Sequence, residues 1–258
     1  FFFQAEDGIR DVAVTGVNVC SSDLSSIQNK AHLKIMQQTP AHEIHNADLL
    51  NVIPKDAKFL VEVGCSSGAL AREFKKISPI SRYVGFEIDE NYASLAKRHC
   101  DEVIHADIET IDDDTWKKFK DTDCFIFGDT LEHLRDPWHI LKKIRALLSP
   151  RGVVVCCIPN AQHWSLQVKL NMGDFRYQES GLLDRTHLRW FTRQTIIELF
   201  KDAGFDVGVI YPRIFNEPQK EKFLPLLKKI AEAAGANSDV AHKDSLALQY
   251  IVVAKINP

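Results

Sequence analysis

Short apolar runs rich in β-branched residues alternate with amphipathic stretches of helical period from about residue 25 to the end of this chain. Phe59 to Val63, Tyr83 to Glu87, Val103 to His105, Cys124 to Gly128 and Val153 to Ile158 are the strand runs, separated by helical stretches such as Asn91 to Cys100 and Trp138 to Leu148. Strand and helix taken in turn predict βαβ units and a mostly parallel sheet, with function at the carboxyl ends of its strands. Thr192 reads as a helix cap, followed by apolar Ile196, Ile197, Leu199 and Phe200 and then by Gly204 where a helix stop belongs. A last pair of strands, Phe205 to Tyr211 and Leu246 to Ala254, brings the expected sheet to seven strands with an antiparallel C-terminal strand. These two flank an insertion at about 212–244 that holds Pro218, Pro225 and an amphipathic stretch from Phe223 to Ala234.

The opening residues break the pattern. Phe1 to Leu24 has neither period, and FFFQAEDGIRD resembles translated sequencing adapter, Gln4 to Asp11 writing back to adapter bases; residues 1–24 are expected to be non-native and disordered. They carry Glu6, Asp7, Asp11 and Asp23 against Arg10, which equals the whole formal charge of −3, so the chain from Ser25 onward is formally neutral. That balance argues against a nucleic-acid grip by charge and for small-molecule partners. Residues 25–258 fit one domain, with lead-in helices at about 25–56 that include Leu49, Leu50 and Ile53. Apolar runs fall short of the roughly 18 residues a membrane span needs, and a cytoplasmic enzyme is expected. The cysteines lack metal-ligand spacing and read as reduced, packed thiols; the histidines of His42 to His45 lack partners, and no metal is expected.

Candidate chemistry begins at VEVGCSSG, Val61 to Gly68, where a buried strand turns into a helix and small residues let backbone N–H groups approach a ligand. Its spacing also satisfies a degenerate dinucleotide fingerprint, and tight strand-on-helix packing would produce it too. About 20 residues on, Glu87 ends the next strand, where a carboxylate can accept both hydroxyls of a ribose; the alternative for Glu87 or Asp89 is a solvated strand-end charge.

VEVGCSSG, YVGFEID, the HAD of His105 to Asp107 and DTLEHLRDPWHILKKIRALLSPRGVVVCCIPN from Asp129 to Asn160 together resemble the successive motifs of class I S-adenosylmethionine-dependent methyltransferases. The branch most similar is that of the ubiquinone-biosynthesis O-methyltransferases, over most of Asn51 to Tyr211. The resemblance implies a Rossmann-like, doubly wound α/β fold and S-adenosylmethionine as cofactor. It implies that Glu62, Gly64, Cys65, Ser66 and Gly68 surround the methionine end, that Glu87 holds the ribose, that Ile88 beside it belongs to the cofactor site, that Asp107 and Ile108 meet the adenine, and that Asp129, Thr130 and Leu131 line the floor. Ser66 stands where the family pattern usually has glycine.

Two histidines are candidate bases. His133 follows Glu132 just past the fourth strand, and a near-neutral pKa suits proton abstraction; a helix-start histidine bonded to Glu132 is the alternative. His187 lies in GLLDRTHLRWFT, a stretch that resembles many methyltransferases of the same branch; a loop anchored by Asp184 and Arg189 is the alternative. Asn160, Gln162, His163 and Trp164 are candidate walls for the acceptor, with ordinary helix packing as the other reading. The expected function is methyl transfer from S-adenosylmethionine to an oxygen or nitrogen of a small metabolite or glycan unit. A nicotinamide-dependent oxidoreductase and a non-catalytic module using the Phe223 to Ala234 stretch as a contact surface are the competing expectations.

Overall fold

The computed structural model describes residues 43–257. The adapter-like residues 1–24, the lead-in up to residue 42 and His42 itself lie outside the described residues.

Seven strands form one sheet in the order β3-β2-β1-β4-β5-β7-β6. They are β1 (Phe59–Val63), β2 (Arg82–Glu87), β3 (Glu102–His105), β4 (Thr122–Gly128), β5 (Leu148–Pro159), β6 (Phe205–Arg213) and β7 (Gln249–Ile256). β1 to β5 pair in parallel, while β7 runs antiparallel to both β5 and β6. The expected Rossmann-like α/β architecture is therefore present, with the order reversing between β1 and β4, where open α/β sheets place ligands.

Nine helices among the described residues cover or flank the sheet: α1 (Ala47–Val52), α2 (Ala69–Ile77), α3 (Glu90–Ala96), α4 (Asp113–Lys117), α5 (Pro137–Arg145), α6 (Trp164–Asn171), α7 (Arg193–Asp202), α8 (Leu224–Ala233) and α9 (Ser238–Leu246). Successive strand side chains point to opposite faces, so one sequence run feeds two cores. Val61, Val63, Phe125, Phe127, Val154 and Cys156 pack with Trp116 of α4, Ile140 and Ile144 of α5 and Phe200 of α7. Leu60, Cys124, Ile126, Val153, Val155 and Cys157 pack on the other face with Leu49 of α1 and Leu70 and Phe74 of α2. Burial on both faces is why these strands read as unbroken apolar runs. Cys65, Cys100, Cys124, Cys156 and Cys157 are free and buried, as expected.

The differences lie at element ends. α3 stops at Ala96 rather than Cys100, and α5 stops at Arg145, so that Leu148 already belongs to β5. Leu246, expected to open the last strand, instead ends α9, a helix capped by the Asn237 side chain, which accepts from Asp239 and Val240 N–H. Propensity along the sequence did not register that cap, and β7 starts three residues later at Gln249. Among the described residues, no helix is long and apolar enough to cross a membrane.

The cap expected at Thr192 is present in a reciprocal form. Thr192 Oγ1 accepts from Thr195 N–H and Thr195 Oγ1 accepts from Thr192 N–H, which satisfies two otherwise orphaned donors at the start of α7. Gly204, with φ 84°, ends the same helix. Thr192→Ala should cost about 1 kcal/mol, read as a drop of roughly 2–4 °C in thermal denaturation that is independent of pH.

Candidate functional site

The carboxyl ends of β1, β2, β3 and β4 lie side by side by register, Val63 against Phe86 and Phe127, and Glu87 against His105. The loop after β1 turns through three left-handed residues, Gly64 (φ 75°), Ser66 (φ 47°) and Gly68 (φ 79°). For glycine this conformation is ordinary, but for Ser66 it is uncommon and persists only where surrounding structure fixes it. That structure is Glu87: Ser66 N–H donates to Glu87 Oε2 at 2.7 Å, and Asp89 N–H donates to Oε1 at 2.9 Å. Gly64 and Cys65 N–H both donate to Phe86 O at 2.9 Å, which sews the loop to β2. A Cβ on Gly64 would stand 2.8 Å from Thr130 Oγ1, a hydroxyl that itself donates to Val63 O at 2.9 Å, so glycine is required for the loop to approach β4.

Glu87 is buried rather than solvated, and burial raises its carboxyl above the usual range against the pull of the two amides. Each carboxylate oxygen has a second lone pair, so both can still accept from a ligand. Ile88, beside it, is 52% exposed and offers an apolar surface at the strand end. Asp89 caps α3 by accepting from Asn91 and Tyr92 N–H. Glu62 points into the flank of the sheet, where Tyr83 O–H donates to its Oε2 at 2.8 Å, and desolvation pushes its carboxyl up to about 8. The Cys65 side chain is packed against Gly85 and Cys100, and its thiol is pushed well up.

After β3, Asp107 Oδ1 accepts from Glu109 N–H and Oδ2 pairs with Arg135 at 2.7 Å, while Ile108 is buried in the core. After β4, Asp129 adopts φ 56° and its N–H donates to Cys157 O at 3.0 Å. Its carboxyl, raised to about 6 by desolvation, accepts from Gln249 Nε2; Gln249 in turn bonds Arg213, which pairs with Asp48 at 2.7 Å. Leu131 is fully buried and begins a short 3-10 turn to His133.

That turn and the 181–192 loop bring both histidines together. The His133 and His187 rings meet edge to face with centroids 4.8 Å apart. Leu188 and Arg189 N–H donate to Glu132 O at 2.9 and 3.0 Å, which docks the loop on the turn. His133 Nδ1 lies 3.2 Å from Thr186 O and 3.0 Å from Thr186 Oγ1, and Thr186 Oγ1 donates to the buried Asp184. Burial lowers both histidines, His187 down to about 4, so that each is neutral near pH 7. Glu132 is 1% exposed and both its carboxylate oxygens lack a hydrogen-bond partner. The two alternatives raised from sequence are replaced by other contacts: His133 bonds Thr186 and not Glu132, while in the loop Arg189 Nη2 donates to Arg135 O and Asp184 Oδ1 accepts from Thr186 N–H and O–H. Glu132, His133 and His187 also form a group whose ligand atoms lie within 4.8 Å of one another, although no metal was expected from sequence.

The residues after β5 make the packing contacts that were the second reading of them from sequence. Asn160 Nδ2 donates to Asp244 O and Ala247 O, and Trp164 Nε1 donates to Glu217 Oε2, which His163 Nε2 also contacts at 3.1 Å. Trp164 stacks on Phe223 at 5.6 Å. These side chains hold the 212–247 segment in place. A cavity of about 170 Å³ opens beside them, lined by Ser165, Leu166, Lys169, Gln178, Leu182, Leu183 and Leu248. Sequence reading missed Thr186, Arg213 and Gln249, because what gives each its place in the site is a partner at least 36 residues away.

A family model described as a methyltransferase domain matches residues 15–208. Among solved structures, a SAM-dependent methyltransferase from Archaeoglobus fulgidus is 18% identical with a TM-score of 0.55, covering 81% of this chain and 91% of its own. An S-adenosylmethionine dependent methyltransferase from Mesorhizobium loti is 14% identical with a TM-score of 0.53, over 81% and 95% of the two chains. Magnesium protoporphyrin IX methyltransferase from Synechocystis, with bound SAH, is 12% identical with a TM-score of 0.52, over 82% and 80%. No curated protein matches the sequence.

Proposed function

The chain belongs to the methyltransferase-domain family, and on that premise we propose that it moves a methyl group from S-adenosylmethionine to an oxygen or nitrogen of a small metabolite or glycan unit. The observation that carries the reading is the Glu87 carboxylate, buried at the strand end, fixed by Ser66 and Asp89 N–H and retaining acceptor capacity on both oxygens. A ribose diol needs that arrangement of acceptors. Ile88 supplies an apolar face for the adenine, with the backbone beside Ile108 at its edge, and Asp107 would share its carboxylate between Arg135 and the base.

Gly64, Cys65, Ser66 and Gly68 present backbone around the methionine end, and Asp129, Thr130 and the backbone at Leu131 form the floor. Burial raises the carboxyls of Glu62, Glu87 and Asp129, so a ligand bearing ammonium and sulfonium charge would favour their ionised forms and be favoured by them in turn. The cofactor supplies an already activated methyl. The chain therefore has to orient an acceptor in line with it and exclude water, and orientation alone is worth about 7–11 kcal/mol in well-aligned systems. His133 and His187, neutral near pH 7, are the candidate bases for a protonated acceptor.

Calorimetric titration of the full chain with S-adenosylmethionine, S-adenosylhomocysteine and NAD tests this. Micromolar binding of both adenosyl ligands at one site per chain is expected, with NAD at least about 100-fold weaker. Binding of NAD alone would point to the oxidoreductase reading, and binding of none to a non-catalytic module.

A further inference from the structure

Glu132 is the least explained residue of the site. It is 1% exposed, yet neither carboxylate oxygen has a hydrogen-bond partner, and a buried carboxyl in that state costs the fold several kcal/mol on the order of a lost charged hydrogen bond or more. The nearest candidate partner, His187 Nε2, stands 4.0 Å from Oε1, beyond hydrogen-bond reach. The two groups do not satisfy each other, although both are enclosed.

His133 completes the set. Its Nδ1 faces the Thr186 carbonyl, which can only accept, and the Thr186 hydroxyl, whose proton goes to Asp184. Nδ1 is therefore the protonated nitrogen, and Nε2 carries a free lone pair. This is the arrangement by which a histidine is oriented as a ligand, with the other ring nitrogen tied to a carbonyl that is itself held.

We infer that Glu132, His133 and His187 form a binding site for a divalent first-row transition ion, held where the 181–192 loop docks on the end of β4. Ligand bonds of about 2.0–2.2 Å place any two ligands of one ion at most about 4.4 Å apart. The 4.0 Å pair already meets that bound, and the other separations, all within 4.8 Å, close by at most about half an ångström of side-chain rotation. Two imidazoles with one carboxylate favour manganese, iron, cobalt or zinc over calcium and magnesium, which take oxygen sets. Three protein ligands leave positions open for a further oxygen. On the reading of the chain as a methyltransferase, that oxygen belongs to a hydroxylated methyl acceptor, and the histidine pair holds the ion instead of acting as bare bases.

The metal site itself is tested without turnover. The full chain, stripped by a chelator, is titrated with Mn²⁺ followed by electron paramagnetic resonance and with Zn²⁺ by calorimetry, alongside His187→Ala, Glu132→Gln and Thr186→Val. Expected are one saturable ion per chain, a thermal midpoint that rises with ion concentration, a loss of affinity of at least about 100-fold in the first two variants, and a loss of roughly 10–100-fold in Thr186→Val. Glu132→Gln without ion should melt no lower than the wild type, because it removes an unpartnered carboxyl. Absence of saturable binding, or binding that survives in folded His187→Ala and Glu132→Gln, overturns the site. S-adenosylmethionine affinity, measured in the same preparations, reports separately on the cofactor reading.

Discussion

Glu87→Ala is expected to remove measurable S-adenosylmethionine binding, a loss of at least about 100-fold by calorimetry, with the protein still folded by circular dichroism. Two hydrogen bonds from ribose hydroxyls to a carboxylate contribute roughly 1.5–3 kcal/mol each, or about 100- to 10,000-fold in affinity together. The substitution also strips the acceptors from Ser66 and Asp89 N–H, and so releases the restraint on the left-handed Ser66. A loop no longer held in its binding conformation adds an ordering cost to every ligand it contacts. Glu87→Gln, which keeps one acceptor oxygen, should fall between the two. Unchanged affinity in Glu87→Ala would remove the ribose from this strand end and with it the proposed cofactor pose.

The second large effect is on stability and depends on pH. Glu62 lies in the sheet flank with its folded pKa pushed from 4.5 up to about 8 by desolvation, against the Tyr83 hydrogen bond. Between those values the unfolded chain has released the proton and the folded chain has kept it, so stability falls as pH rises from about 4.5 through 8. The displacement corresponds to on the order of 3–5 kcal/mol at pH 8 and above. Glu62→Gln retains an acceptor for Tyr83 O–H and has no charge to form. The variant and the wild type should melt within a few degrees of each other below pH 4.5, and the variant should melt roughly 5–10 °C higher at pH 8. Parallel pH–melting curves would show that Glu62 titrates normally. Glu87 and Asp129 are raised for the same reason, so a ligand that brings positive charge to this edge should stabilise the protein most at high pH.

Most of the strand series was legible because the inner strands are buried on both faces: Phe59–Val63 and the runs ending at Glu87 and Gly128 needed no alternation to be seen, only apolar residues bounded by turns. The Thr192 cap and the Gly204 stop were legible because capping is local chemistry, settled within four residues. Glu87 was legible by its spacing from the glycine turn. Helix α9 and the start of β7 were not, since the Asn237 cap and the pairing of Gln249 with Arg213 and Pro159 are weighed against a plausible strand run only once the sheet has formed.

The sequence by itself determined the order of elements, the parallel sheet and which strand ends carry acidic residues, because these follow from periodicity and short-range turn geometry. Tertiary structure decided what those residues face. It turned Asn160, His163 and Trp164 toward the 212–247 segment, tied Asp129 through Gln249 and Arg213 to Asp48, and set His187 against His133 and Glu132 across 54 positions of chain. Such contacts join segments distant in sequence, and the free energy that selects them comes from desolvating whole groups at once, a quantity that no local window of residues contains.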